Sequence, residues 1–307
     1  MKKLSFLTLA LSLLLASAAH AQEAFQFGVI GHSFVGTADD SLLRKAIRES
    51  DADNLAFVVV NGIKSASEPC SDTLYGERRA VLDEAENGIV VSLAASDWAG
   101  CKTRNEKSAA LERLNRVREL FFQEEFSFGA SKIPVLRQSI TPKFRAYTEN
   151  ARWEVGSILF ATINLPSGNN HFLPDGGRNS EFEDRLIANR DWLQRLFTFA
   201  SSKKLKGIVL FCDANPMTLP HQRPFLFRGQ RDGFSEIRQR LTTLAGDFPG
   251  KVLLVHSEST QRAETVKAIN WKRNLGTIGV GPGWIKLAVN NKSGTLISLA
   301  ATTTRDK

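Results

Sequence analysis

Short apolar runs alternate along this chain with longer stretches in which apolar residues recur every three or four positions. The first kind predicts strands at 25–31, 56–61, 89–93, 155–163, 207–212 and 251–256. The second predicts helices at 40–50, 74–87, 108–122, 180–202 and 231–246. Within 108–122, Leu111, Leu114, Val117, Leu120 and Phe121 fall at helical spacing, with Arg113, Arg116 and Arg118 between them. Within 180–202 the stripe is Phe182, Leu186, Trp192, Leu193, Leu196 and Phe197. Stripes of this kind read as core, not as ligand contacts. Strands alternating with helices predict a layered α/β fold. The tail differs: Gly276, Gly279, Gly281 and Gly283 precede an apolar run at 284–289, Asn290-Asn291 and a second run at 295–299. That pattern predicts a closing β-hairpin around the two asparagines. A strand, not a helix, follows the glycines, so they fit no phosphate-cradling loop.

The amino terminus opens with Lys2 and Lys3, continues with an apolar run from Leu4 to Ala19, and ends in Ala19-His20-Ala21. A basic start, a short apolar core and a small-x-small site predict a signal peptide at 1–21, cleaved before Gln22. One domain over 22–307 is expected to remain, in the periplasm or outside the cell. The leading run is too short for a membrane span, and no later stretch matches one. The formal charge of +8 falls to +6 without Lys2 and Lys3. The charges are dispersed, with no long basic run and no basic–aromatic repeat, so nucleic-acid binding is not expected. An anionic small molecule or envelope component remains as a partner, against the plainer reading of a solvated surface. The protein is expected to be a monomer. Three cysteines leave one thiol over. Cys70 and Cys101 each follow a strand-end loop and can meet across neighbouring loops, whereas Cys212 lies in an apolar run and reads as a buried, inert thiol.

Loops leaving the carboxyl ends of strands are where α/β folds place their chemistry. Here these loops carry Phe27-Gly-Val-Ile-Gly31, Asn61-Gly-Ile-Lys-Ser65, Glu68-Pro-Cys-Ser-Asp72 and Ser96-Asp-Trp-Ala-Gly-Cys101. Further along come Arg118-Glu-Leu-Phe-Phe122, Glu149-Asn-Ala-Arg-Trp153 and Asn164-Leu-Pro-Ser-Gly-Asn-Asn170. Glu183, Arg185, Asn189 and Trp192, then Asp213-Ala-Asn-Pro216, complete the series. In this order the segments resemble the calcineurin-like metallophosphoesterase superfamily, in an exported bacterial branch, over about 25–300. The resemblance implies a four-layer αββα sandwich of two mixed sheets and supports a Cys70–Cys101 bridge.

That family's chemistry needs two metal ions held by Asp, Asn and His, which clamp a phosphate and generate hydroxide. By the resemblance, His32-Ser33-Phe34 stands where the family has Asp-x-His, and Gly62 where it has the bridging Asp. Ser96 stands for the liganding Asn, and Asp97 for the leaving-group acid. Cys212-Asp213 replaces a His or Gln, and Ser257-Glu258-Ser259-Thr260, preceded by His256, replaces Gly-His-x-His. Neither Gly62 nor Phe34 has a side-chain donor atom, so a dinuclear site is not expected. His32, Asp97, Asp213, His256 and Glu258 could hold one manganese, zinc or iron ion, or form a hydrogen-bonded plug. Asp97 with His32 is the pair to consider for acid–base work, and neither Ser33 nor Ser96 has the context of a nucleophile elbow. Lys64, Lys102 and Arg104 flank the site and could bind an anion, or be solvated loop residues. His171 and His221 read as ordinary surface residues. The expectation is a pseudoenzyme with no cofactor that binds an anionic ligand or partner. The alternative is a divergent phosphoesterase with a reduced metal site.

Overall fold

The computed structural model describes residues 24–34, 39–174, 179–219, 231–258, 263–266 and 268–301. The proposed signal peptide, Ser259, Thr260 and His221 lie outside the described residues. A first sheet is built from β1 (Ala24–Ile30), β2 (Val58–Asn61), β3 (Ile89–Ser92), β11 (Trp284–Asn290) and β12 (Ile297–Ala300), in the order β12-β11-β1-β2-β3. β1, β2 and β3 run parallel, while β11 and β12 are antiparallel additions. A second sheet holds β4 (Leu136–Arg137), β5 (Ala151–Val155), β6 (Ile158–Thr162), β7 (Gly207–Cys212), β8 (Lys251–Ser257), β9 (Asn270–Lys272) and β10 (Leu275–Val280). Its order is β4-β5-β6-β7-β8-β10-β9, parallel from β6 through β10.

The short apolar runs are explained by burial on both strand faces. In β2, Val58 and Val60 face one core and Val59 another. The core between the two sheets is aromatic, with Phe27, Phe57, Trp153, Phe160 and Phe211 in mutual contact. The outer face of the first sheet is covered by α1 (Ser41–Asp51), α2 (Asp72–Asp83) and α3 (Ala110–Phe121). The outer face of the second is covered by α5 (Ser180–Ser202) and α6 (Ser235–Asp247). Helices, sheet, sheet and helices thus form an α/β sandwich around three cores. No described helix is long and apolar enough to cross a membrane. Cys70 and Cys101 form a disulfide, and Cys212 is buried and free.

Several elements differ from the pattern-based expectation. The run at 155–163 is one half of a hairpin, because β5 precedes it and turns at Gly156, whose φ is 58°. β5 escaped notice because Arg152 and Glu154 alternate with its buried Ala151 and Trp153. The glycine-rich segment before the tail is itself a strand, β10. A Cβ at Gly276 would lie 2.7 Å from the Trp271 ring and one at Gly279 2.9 Å from His256, so these strand positions require glycine. The final hairpin pairs Val289 with Ile297, so Asn290-Asn291 begins a longer loop instead of making a two-residue turn. Arg118, one of the arginines between the apolar positions of α3, is buried against Glu149. The ends of α2 are set by Ser71, whose hydroxyl accepts from Leu74 N, and by the turn at Glu84.

Candidate functional site

The carboxyl ends of the parallel strands in both sheets meet at one edge of the sandwich. Asn61, closing β2, donates from Nδ2 to the Cys212 carbonyl at the end of β7 (2.9 Å). Asp213 Oδ2 accepts from Ala95 N (2.9 Å) and Ser167 N (2.7 Å), so one carboxylate ties together the loops after β3, β6 and β7.

Asp97 does the same within the first sheet. It closes a 3-10 turn at Ala95–Asp97 and is fully buried. Its Oδ1 accepts from Ile63 N (2.9 Å) and Lys64 N (3.3 Å), and its Oδ2 from Ala94 N (2.8 Å). Burial pushes its pKa up to about 6, with His32, the Ile63 and Ala94 amides and Lys64 opposing only in part. The buried Lys64 ammonium donates to the carbonyls of Ser65 (2.6 Å) and Ser96 (2.9 Å). Burial lowers its pKa, against Asp97 and Glu68. Glu68 in turn accepts from Ser65 N (2.7 Å) and pairs with the buried Arg78. These groups hold backbone, not ligand.

His32 and Asp97 are linked through Ser96, whose Oγ lies 2.8 Å from His32 Nε2 and 3.5 Å from Asp97 Oδ1. The imidazole lies against Gly62, where φ is +76° and a Cβ would come within 2.4 Å of His32 Cδ2. Any side chain at 62, a carboxylate included, would collide with it. His256 is buried and donates from Nδ1 to the Ser257 carbonyl (2.8 Å); burial lowers its pKa. Glu258 is half-buried, and its Cβ and the His256 ring both close on Gly279. Among the described residues, no three His, Cys, Asp or Glu side chains form a group that could hold a metal ion. Lys102 and Arg104 are exposed, unlike the buried Lys64, and Lys102 pairs with Glu106 (2.8 Å).

A second cluster faces this one. After β6 the chain makes a helical turn, α4 (Ser167–Asn170), with positive φ at Gly168 (73°), Asn169 (56°), Asn170 (57°) and at the following His171 (55°). Successive left-handed residues are rare, because each non-glycine costs about 1–2 kcal/mol. Buried donors hold the turn in place. Arg185, from α5, has no exposed surface and donates to Asn170 Oδ1 (2.6 Å), Asn170 O (2.8 Å) and Asn164 O (3.2 Å). It also pairs with Glu181 (2.6 Å), which lies 2.9 Å from His171 Nδ1. Burial alone would raise the Glu181 pKa, but His171 and Arg185 outweigh it and bring it to about 2. Asn169 accepts from Gly233 N (2.8 Å), and Asn170 donates to Gly233 O (2.9 Å).

His171 is therefore not the surface residue its loop suggested: it packs on Trp98, ring centroids 4.8 Å apart, and Trp98 also touches Arg185. Trp98 directly follows the Asp97 turn, so it joins the two clusters. Pattern reading missed Trp98 and Glu181. The signal for the turn was present in Gly168-Asn169-Asn170, three residues of the types that most readily adopt left-handed φ. Around it, Glu149 accepts from Arg118 (2.6 Å) and Asn164 (3.0 Å), and Asn150 donates to Gln138 (2.8 Å) and Asn189 (2.9 Å). Burial pushes the free Cys212 thiol well above its usual range, which suits an inert core residue.

No protein-family model matches the chain, and no curated protein matches it significantly. Among solved structures, it is similar to the crystal structure of TT1561 of Thermus thermophilus, at 8% identity and a TM-score of 0.45. That alignment covers 91% of this chain and 100% of the other. A likeness this distant carries no argument.

Proposed function

We propose that the chain is an exported, metallophosphoesterase-like pseudoenzyme whose former reaction centre has become framework, and that it acts by binding an anionic ligand or partner. Support for the scaffold comes from the two-sheet sandwich and from the strand ends, where the segments that carry the resemblance gather. The carrying observation is the occupation of Asp97, which would otherwise be the strand-end acid. Its two oxygens accept backbone N–H groups of Ile63, Lys64 and Ala94, and Lys64 donates to carbonyls. With the His32 ring in the space a side chain at 62 would need, the bridging position of a two-metal site is filled. The residues present do not fit a dinuclear centre.

The alternative is a divergent metal-dependent phosphoesterase with a single ion. One observation favours it: Asn61 Oδ1, Ser92 Oγ and Ser257 Oγ are buried near these strand ends with no hydrogen-bond partner among the described residues. Elemental analysis after incubation with manganese, zinc and iron separates the two, together with hydrolysis of p-nitrophenyl phosphate. The proposal expects near-zero metal and no turnover above buffer. One bound ion per chain, with hydrolysis lost in Asp213→Asn, replaces it with the alternative. Two ions per chain overturn both.

A further inference from the structure

α5 touches the β4–β5 edge of the second sheet at few points, Gln138 after β4 donating to Ala188 O (2.8 Å) and Arg152 of β5 lying on Phe199. The core beneath α5 and α6 takes its strand residues from β6, β7, β8 and, at Leu275, β10, and none from β4 or β5. Beside α5 this leaves a cleft of about 390 Å³ over β4 and β5. Its size is in the range of small-molecule sites. Leu136, Ile140, Trp192 and Phe199 give it apolar walls. Leu136 is 38% exposed and Ile140 64%, so solvent meets apolar surface at its mouth.

The charge in the cleft has one sign. Arg137, Arg152 and Arg195 line it, and no Asp or Glu does. Arg195 is paired with Asp191 (2.6 Å). Arg137 donates to the carbonyls of Glu124 (2.8 Å) and Thr148 (2.9 Å), which use its N–H groups without cancelling its charge. Arg152 is different. Its guanidinium lies 3.7 Å from the centroid of the Phe199 ring and makes no hydrogen bond or ion pair with a described residue. The carboxylate on the same strand face, Glu154, is held by Lys203 (3.0 Å). Burial lowers the Arg152 pKa, with the nearby Glu154 carboxylate opposing only in part, and a bound anion would offset the penalty that remains. With one face of the guanidinium on an aromatic ring, its in-plane donors remain, and that planar fork matches a carboxylate.

We propose that this cleft binds an amphipathic monocarboxylate, with its head on Arg152 and its apolar body against Leu136, Ile140 and Trp192. A monoanion fits because Arg152 alone of the three keeps all five N–H groups uncommitted among the described residues, while Arg137 gives two to carbonyls and Arg195 gives its Nε to a carboxylate that neutralises it; a phosphate dianion would need more than Arg152 supplies. The inference deepens the binding half of the proposed function and leaves the other half alone. A bound metal would overturn the non-catalytic reading without touching the cleft, and failure of the cleft would not restore catalysis.

The test is calorimetric titration of the whole protein with decanoate, 1-decanol and decyl phosphate. Decanoate is expected to bind one per chain, at least tenfold tighter than 1-decanol or decyl phosphate. Arg152→Met should weaken decanoate at least tenfold. Ile140→Asp, which sets a carboxylate at the exposed mouth, should weaken it similarly. Arg104→Met, which removes a charge from the exposed disulfide loop, should change nothing. The proposal is overturned if decanoate does not bind, if 1-decanol or decyl phosphate binds as well, if Arg152→Met binds normally, or if Arg104→Met loses as much as Arg152→Met.

Discussion

Asp97, fully buried, and Glu181, whose side chain is 14% exposed, lie on the two sides of Trp98, and their proton affinities move in opposite directions. Asp97 is pushed up to about 6 and Glu181 down to about 2. Burial is the largest influence on both and raises both. The contrast comes from what each oxygen touches. Glu181 is in contact with the Arg185 guanidinium and His171. Asp97 accepts neutral backbone amides, and the ammonium of Lys64 donates to carbonyls instead of to it. Contact with a cation, more than depth, decides whether a buried carboxylate stays ionised. One cluster is a charge-paired brace for a strained turn; the other is a hydrogen-bonded clamp between two loops.

The hardest way to break this comparison is to remove the cation. Arg185→Met leaves Glu181 without its guanidinium and Asn170 Oδ1 without its donor, and releases two buried carbonyls. A loss of roughly 3–5 kcal/mol in urea unfolding is expected, as for other broken buried pairs. An unchanged midpoint would show that the left-handed turn does not depend on this brace. Next in size is Asp97→Ala, which leaves the amides of Ile63, Lys64 and Ala94 without an acceptor. About 2–4 kcal/mol is expected, with Asp97→Asn in between, since its amide keeps an acceptor but sets a donor against Ala94 N.

The smallest effects are in pH dependence. Because the folded pKa of Asp97 is raised, the fold binds its proton more tightly than the unfolded chain does. Its contribution to stability therefore falls as pH rises from about 3.8 to about 6. Glu181 is lowered, so its contribution is fully present above its ordinary value of 4.5 and is lost as pH falls towards about 2. Asp97→Asn should flatten the first window and Glu181→Gln the second, measured as urea midpoints across pH. If one variant flattened both, the two clusters would be titrating as a unit through Trp98.

Much of the fold was legible in the chain. Runs such as Gly207–Cys212 and the stripe over Ser180–Ser202 were placed to the residue, because burial on two faces or one leaves a strong periodic trace. β5 and β10 were hidden: alternating charges masked one, and glycines required by neighbouring side chains masked the other. At the site, the identities of Gly62, Asp97 and Asp213 were visible, but their duties were not. No spacing rule says that a carboxylate will meet amides of residues 63, 64 and 94, or amides of residues 95 and 167.

The sequence by itself determined the alternation of strands and helices, the identity of the strand-end residues, with no side-chain donor at Gly62, and the cysteines available for pairing. Tertiary structure alone decided which polar groups meet. It set the His32 ring against Gly62, aimed Arg185 at the carbonyls of a left-handed turn, and laid Arg152 on Phe199 beside an open cleft. The reason is physical: periodicity records how each residue divides between water and core, a local property. The pairing of a buried charge depends on atoms brought within hydrogen-bond reach, about 3 Å, from segments distant in the chain, and no local pattern records those.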